Sequence, residues 1–217
     1  TTRDGANMTR DGANMKPRIY SKNVPSIKAV DLFCGVGGLT HGLIRGGIEV
    51  VAGVDVDGSC RYPYEANNPS LFIEQDVSAI SGTLIKKILG NAPLTLLAGC
   101  APCQPFSTYS RSGRRRRGES DWKLVASFGL LVRETRPHFV TMENVPQVER
   151  HPVFQDFLKA LSGYHVVWST IDCSSFGVPQ TRKRLVLLAS RIGPECLLLS
   201  SNLVTPATVR HTISDLP

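Results

Sequence analysis

The chain has 217 residues, of which 41% are hydrophobic, and a formal net charge of +7. That length supports one domain with a sizeable core. No apolar run reaches membrane-spanning length and no secretory signal opens the sequence, so a soluble, intracellular protein is expected. Six cysteines without framework spacing exclude a disulfide scaffold, and the basic balance points to a polyanionic partner.

In chain order, residues 2–8 and 9–15 are the same heptapeptide, Thr-Arg-Asp-Gly-Ala-Asn-Met, written twice. A tandem copy this short and polar is no solenoid unit. Residues 1–26 are therefore read as a tag-like repeat and an extended arm carrying Pro17 and Pro25. From Ile27 onward strand and helix patterns alternate. Strands are expected over 28–33, 49–54, 71–74, 94–98, 138–142, 164–171 and 184–189. Helices are expected from the glycine turn to about Arg45, and over 59–67, 81–89, 121–135 and 153–161, with Pro63 set against the first half of the second. Such alternation specifies an α/β fold of three layers around a mostly parallel, doubly wound sheet. It occupies residues 27–192, and residues 193–217 form a tail.

Chemistry gathers at the strand ends. The stretch Asp31-Leu-Phe33-Cys-Gly35-Val-Gly37-Gly38 closes the first strand with a glycine turn, which lets a ligand approach backbone at a helix start. Asp55 ends the second strand about twenty residues on, where a carboxylate holds ribose hydroxyls. Asp76 ends the third strand, placed to accept from an adenine amino group. These residues describe a nucleoside pocket without separating a nicotinamide dinucleotide from S-adenosylmethionine.

The fourth strand runs into Gly99-Cys100-Ala-Pro102-Cys103-Gln104-Pro-Phe-Ser107. Prolines on either side fix the backbone around Cys103, beyond a strand end where open sheets bind ligands. A zinc half-site from Cys100 and Cys103 would need a second ligand pair, and Cys60 and Cys173 stand alone, so no metal is expected. Cys103 is read as a nucleophile, ahead of a buried structural thiol. Glu143-Asn144-Val145 follows the fifth strand, and Gln180-Thr-Arg182-Lys-Arg184 leads into the last; extended alternation would point Gln180, Arg182 and Arg184 to one side. Taken alone, the glutamate reads more readily as a cap or a solvated residue and the arginines as a solvated turn.

Together and in this order, the glycine turn, Pro102-Cys103-Gln104, Glu143-Asn144-Val145 and Gln180-x-Arg182-x-Arg184 closely resemble the cytosine-C5 DNA methyltransferases. The resemblance covers about residues 28–190 and implies a Rossmann-like, S-adenosylmethionine-dependent methyltransferase fold. It implies cofactor contacts from Phe33, Gly35, Gly37, Gly38, Asp55, Val56, Asp76, Pro102 and Leu124. It implies catalysis by Cys103, Glu143, Arg182 and Arg184 on a flipped-out cytosine, with Arg184 favoured at the O2 oxygen. Gln104, Ser107, Arg111, Arg114, Arg115, Arg116, Arg117 and Gln180 are then expected to face double-stranded DNA, the arginine run as a lid that contacts phosphates. Family enzymes continue into a target-recognition region and a segment that closes the cofactor pocket. Neither reads in residues 193–217, so a second polypeptide, or a further C-terminal part of the same chain, is expected to supply both. Rival readings are a transfer RNA cytosine methyltransferase of the same fold and a non-catalytic DNA-binding subunit. The compartment expected is cytoplasmic in a bacterium and nuclear in a eukaryote.

Overall fold

The structure is a computed structural model that describes residues 25–102, 120–194 and 207–215. Seven strands, β1 (Ile27–Leu32), β2 (Glu49–Asp55), β3 (Leu71–Glu74), β4 (Leu94–Gly99), β5 (Phe139–Asn144), β6 (His165–Asp172) and β7 (Lys183–Ser190), form one sheet in the order β3-β2-β1-β4-β5-β7-β6. The first five run parallel, and β7 lies antiparallel between β5 and β6. Near-continuous apolar runs such as Ile-Lys-Ala-Val-Asp-Leu in β1 and Leu-Thr-Leu-Leu-Ala-Gly in β4 suit strands covered on both faces. The reversal at β7 follows from its connection. Only residues 173–182 separate it from β6, and a parallel crossover needs about a dozen or more.

Five helices flank the sheet: α1 (Gly38–Arg45), α2 (Arg61–Asn67), α3 (Gly82–Leu89), α4 (Ser120–Thr135) and α5 (Pro152–Ala160). A further short helix, α6 (Val209–Thr212), stands in the segment read from sequence as a tail. Local chemistry sets the starts. The Ser81 hydroxyl accepts from the Leu84 amide at α3, and Pro152 opens α5 while the His151 ring accepts from Val153. Pro63 does not break α2, because as its third residue it lacks only an N–H that has no intrahelical acceptor.

α3, α4 and α5 cover one face through Ile85, Leu89, Val125, Phe128, Leu131, Phe154 and Phe157, packed on Val30, Leu32, Leu97, Val140, Met142, Leu185 and Leu187. On the other face α1 seats Leu39, Leu43 and Ile44 over Ala29, Val50, Leu96 and Ala98, and α2 seats Tyr64 beside Phe72. The result is the three-layer α/β architecture expected. Coverage of this second face thins towards β7 and β6, where Thr141, Val186 and Leu188 are half-buried and Val167 is exposed.

Turns at the carboxyl ends share one device. In Asp57-Gly-Ser59, Asp76-Val-Ser78 and Asp172-Cys-Ser174, the carboxylate accepts from the serine amide and hydroxyl and starts a short 3₁₀ turn. Tyr64 reaches the sheet only because Gly53 has no side chain. A Cβ there would lie 2.5 Å from the tyrosine oxygen and 2.7 Å from the Cys34 sulfur. Gly53→Ala is therefore expected to destabilise the fold by about 1 to 3 kcal/mol, measured as a drop in urea midpoint with unchanged slope.

Candidate active site

The end of β1 is built around a buried carboxylate. Asp31 is 1% exposed; its Oδ2 accepts from the Thr40 hydroxyl at 2.7 Å, while its Oδ1 is buried without a partner. Thr40 lies in the first turn of α1 and also meets the Tyr64 hydroxyl at 3.2 Å, which in turn meets Ser70 at 2.9 Å. Burial, opposed by the Thr40 bonds and reinforced by the Asp55 charge, raises the Asp31 carboxyl to about 7. An acid inside an otherwise apolar strand is visible in the sequence, yet its pairing with Thr40 has no signature there.

Beyond Asp31 the backbone turns sharply. Phe33 takes φ 58° and Gly35 φ 49°, the left-handed region that an aromatic residue rarely enters. The Gly35 amide donates to Asp55 Oδ2 at 2.8 Å, and the Asp57 amide donates to Asp55 Oδ1 at 3.0 Å. Asp55 thus ties the glycine turn to the end of β2, with lone pairs left on both oxygens. Above Gly35 and Gly38 a Cβ would meet nothing within 4 Å, so a ligand can lie directly on this backbone. Gly37 (φ 89°) is instead packed shut, since a Cβ there would lie 2.5 Å from the Asn68 amide nitrogen. Val56 projects just past β2, 69% exposed, and Asp76 caps its 3₁₀ turn through Ser78. Phe33 packs against the core on the α3–α4 side, and Leu124 is half-buried early in α4.

A second group of side chains meets at β4, β5 and β7. Glu143 lies within β5, paired with Val186 of β7, which brings Arg184 alongside. Its Nε sits 2.6 Å from Glu143 Oε1, with the side chains 20% and 31% exposed. Cys100 follows the end of β4, whose last pair sets Gly99 opposite Met142, so it comes level with Glu143 of β5. Burial, and then the Glu143 charge, push the Cys100 thiol far above its usual range. Cys100 is therefore held as a thiol and is a poor nucleophile. Asn144, 3% exposed, donates to the Ala101 carbonyl at 3.1 Å and fixes the backbone leading into half-buried Pro102.

Two sequence expectations change here. β7 begins at Lys183, so Gln180 and Arg182 precede it; the Gln180 amide bonds the Val178 carbonyl in a tight turn rather than an extended run. Gln180 therefore falls outside the extended run that alternation requires. Arg182 is exposed and receives the Cys173 amide on its carbonyl, and Arg184 alone of the two pairs with Glu143 among the described residues. Cys103, Gln104, Ser107, Arg111, Arg114, Arg115, Arg116 and Arg117 lie outside the described residues. Among the described residues no cluster of His, Cys, Asp and Glu could hold a metal ion, and no helix is long and apolar enough to cross a membrane.

Residues 27–216 match the family described as C-5 cytosine-specific DNA methylase. The chain belongs to this family. Its members are S-adenosylmethionine-dependent methyltransferases. The type II methylase M.HgiDII of Herpetosiphon aurantiacus is 46% identical over 169 residues, covering 76% of this chain and 47% of that protein. Mouse DNA (cytosine-5)-methyltransferase 1 is 28% identical over 240 residues, covering 89% of this chain and 15% of that protein. A solved structure described as a prophage-encoded DNA modification methyltransferase (E. coli) superposes with a TM-score of 0.74 at 29% identity, over 88% of this chain and 56% of that one. The S. pombe Dnmt2 methyltransferase shares the fold at a TM-score of 0.61 and 21% identity, over 75% of this chain and 49% of that one. The chain spans about half the length of the first of these relatives and of both solved structures.

The buried Asp31 carboxyl makes a pH prediction. In the unfolded chain it titrates near 3.8, in the folded chain near 7. Between those values the folded state keeps a proton that the unfolded state has released, so stability falls as pH rises towards 7. Asp31→Asn should remove that slope. Relative to wild type the variant should gain on the order of 2 kcal/mol between pH 5 and pH 8, read by urea unfolding at each pH. Parallel curves for the two proteins would mean that Asp31 titrates as an ordinary acid.

Proposed function

We propose that this chain is the catalytic part of a DNA (cytosine-5-)-methyltransferase, acting on a cytosine flipped out of the duplex. The observation that carries the reading is the Glu143–Arg184 ion pair at 2.6 Å, beside the Ala101-Pro102 turn from which the chain runs into Cys103. Cytosine C5 is a weak carbon nucleophile, and a thiolate that adds to C6 pushes electrons towards C5. Cys103 is assigned that addition; Cys100, held protonated by its surroundings, does not compete. Glu143 meets the N3 edge of the ring, where negative charge builds up. The Arg184 guanidinium lies against Glu143 and serves the neighbouring O2 oxygen. Once C5 carried the transferred methyl group, loss of the C5 proton would break the C6–sulfur bond and release Cys103. Such a site cannot reach a stacked base, so the nucleotide must leave the helix at a cost of a few kcal/mol.

The residues at the β1 and β2 ends fit S-adenosylmethionine, which supplies an electrophilic methyl group when bound. Gly35 and Gly38 offer open backbone, Asp55 has lone pairs for ribose hydroxyls, and Val56 and Asp76 stand at the adenine end. Charge supports this choice over a dinucleotide. Asp55 sets a carboxylate against the glycine turn, which opposes a pyrophosphate and suits a cationic sulfonium compound. Gln104, Ser107, Gln180 and the arginines Arg111 and Arg114 to Arg117 are assigned to DNA contacts, consistent with the net charge of +7, and Arg182 is assigned with Arg184 to the catalytic set. Reading of a specific site is assigned to polypeptide beyond the described residues, either continuing this chain or separate from it. The half-buried Thr141, Val186 and Leu188 and the span of about half the relatives support that division.

Methyl transfer to duplex DNA and to transfer RNA, with this chain in its active assembly, tests the substrate. Cys103→Ala should abolish transfer and covalent trapping on DNA carrying 5-fluorocytosine, while Cys100→Ala keeps both. Transfer confined to RNA would overturn the DNA assignment. Asp55→Ala should weaken cofactor binding by about 1 to 3 kcal/mol in calorimetry, the cost of unpaired ribose hydroxyls. Unchanged affinity would remove Asp55 from the ribose.

A further inference from the structure

The sheet edge opposite the candidate active site carries basic side chains that methyl transfer does not use. They gather where β4 and β5 begin and β7 ends, around Thr95, His138 and Arg191. The His138 amide donates to the Thr95 hydroxyl oxygen at 3.2 Å. In return the Thr95 amide donates to His138 Nδ1 at 3.1 Å, and its hydroxyl lies 3.0 Å from the same nitrogen. With Nδ1 accepting, the neutral ring carries its proton on Nε2. Arg191 meets that nitrogen with Nη2 at 3.3 Å, so the contact sets donor against donor. Protonating the ring gives no relief, because Nδ1 would then oppose the Thr95 amide. Burial and the Arg191 charge accordingly hold the His138 pKa below its usual value.

The arginine is tied to this mismatch. Its Nε donates to the Pro137 carbonyl at 3.0 Å and its amide to the His138 carbonyl at 3.1 Å. The Pro137 carbonyl also accepts from the Tyr164 hydroxyl at 2.6 Å, and Arg136 stands over the same tyrosine, 5.7 Å from its ring centre. Arg136, at a left-handed φ of 50°, donates to the Ser162 carbonyl at 3.1 Å. Main-chain carbonyls thus hold two guanidinium groups beside one tyrosine. Both arginines are exposed, and among the described residues neither pairs with a carboxylate.

We propose that this corner binds a phosphoryl group: an anionic oxygen lodged between His138 Nε2 and Arg191 Nη2 accepts from both, and Arg136 adds a second positive charge. One oxygen with several lone pairs turns the mismatch into two bonds to an anion, the stronger class of hydrogen bond. The charge of a phosphate suits two cations that no carboxylate neutralises. The six residues of β4 separate this corner from the catalytic edge, roughly 20 Å at 3.3 Å per residue. A phosphate held here therefore belongs to a second stretch of nucleic acid or to a small phosphoryl compound, not to the nucleotide being modified. The site stands whether or not the chain methylates DNA.

The experiment titrates inorganic phosphate into the full protein at constant ionic strength and follows histidine side-chain N–H resonances by NMR. The His138 signal is the one missing from His138→Gln. Phosphate should shift it in a saturable way, and Arg191→Gln should weaken binding about tenfold, the scale of one charge-assisted hydrogen bond. Arg136→Gln should weaken it less, and Lys87→Gln, which removes an exposed charge from α3, should leave it within about twofold. If Arg191→Gln melts early, the wild-type titration and Arg136→Gln against Lys87→Gln decide. Duplex DNA distinguishes the two sources. A backbone phosphate in the site lowers the salt slope of DNA binding by about one in Arg191→Gln, and a free phosphoryl compound leaves that slope unchanged. A His138 resonance indifferent to phosphate, or equal weakening in Arg136→Gln and Lys87→Gln, overturns the site. A shift produced by an acidic peptide and not by phosphate overturns the phosphoryl assignment.

Discussion

Much of the site depends on where two strands stop. β1 and β4 pair in parallel without slippage from Ile27 opposite Leu94 to Leu32 opposite Gly99, so both end at one level. The bond from the Cys100 amide to the Leu32 carbonyl closes that ladder. Two turns of opposite chemistry then leave the sheet side by side: one open, glycine-rich and lined by carboxyl groups, the other held by Asn144 and running into Pro102. A parallel sheet gathers its strand ends on one edge, which is why ligands of such folds bind there. Here the edge also juxtaposes the groups assigned to the methyl donor and to the base.

β7 supplies what a purely parallel sheet could not. Running antiparallel beside β5, it brings the start of its own strand to the end of its neighbour, and Arg184 thereby meets Glu143. Arg184 also donates from Nη1 to the Lys183 carbonyl at 2.8 Å, which helps to hold its guanidinium in place. At intermediate exposure the ion pair is screened less than a surface pair and desolvated less than a buried one. Asp31 shows the opposite balance. It is buried almost completely with half of its bonding capacity unmet, and the strand carries that cost beneath the glycine turn.

The layered fold was legible because apolar runs and helical faces alternate so regularly, and element ends agree within a residue or two. Glu143 was placed just after a strand, yet lies within it, because β5 is prolonged by pairing with β7 that no local pattern announces. The reversal of β7 is set by the length of its connection, and Gln180 left the expected extended run because a tight turn precedes that strand. Among site residues, Gly35 and Asp55 could be related by spacing alone. The contact of Asp31 with Thr40 joins residues that share no motif, and only packing reveals it.

The hairpin of β6 and β7 also bears on the order of assembly. Its two strands pair along their whole length, His165 opposite Ser190 through Asp172 opposite Lys183, so it is a local unit of low contact order. It joins the β1–β5 sheet through the ladder between β5 and β7 and through Leu185 and Leu187, which share the core beneath the helices. A nascent or partly unfolded chain can therefore hold its glycine turn while Arg184 is still remote from Glu143. Undocking of this one hairpin would silence the chemistry before the rest of the sheet is lost, which makes it a natural unit of sub-global opening.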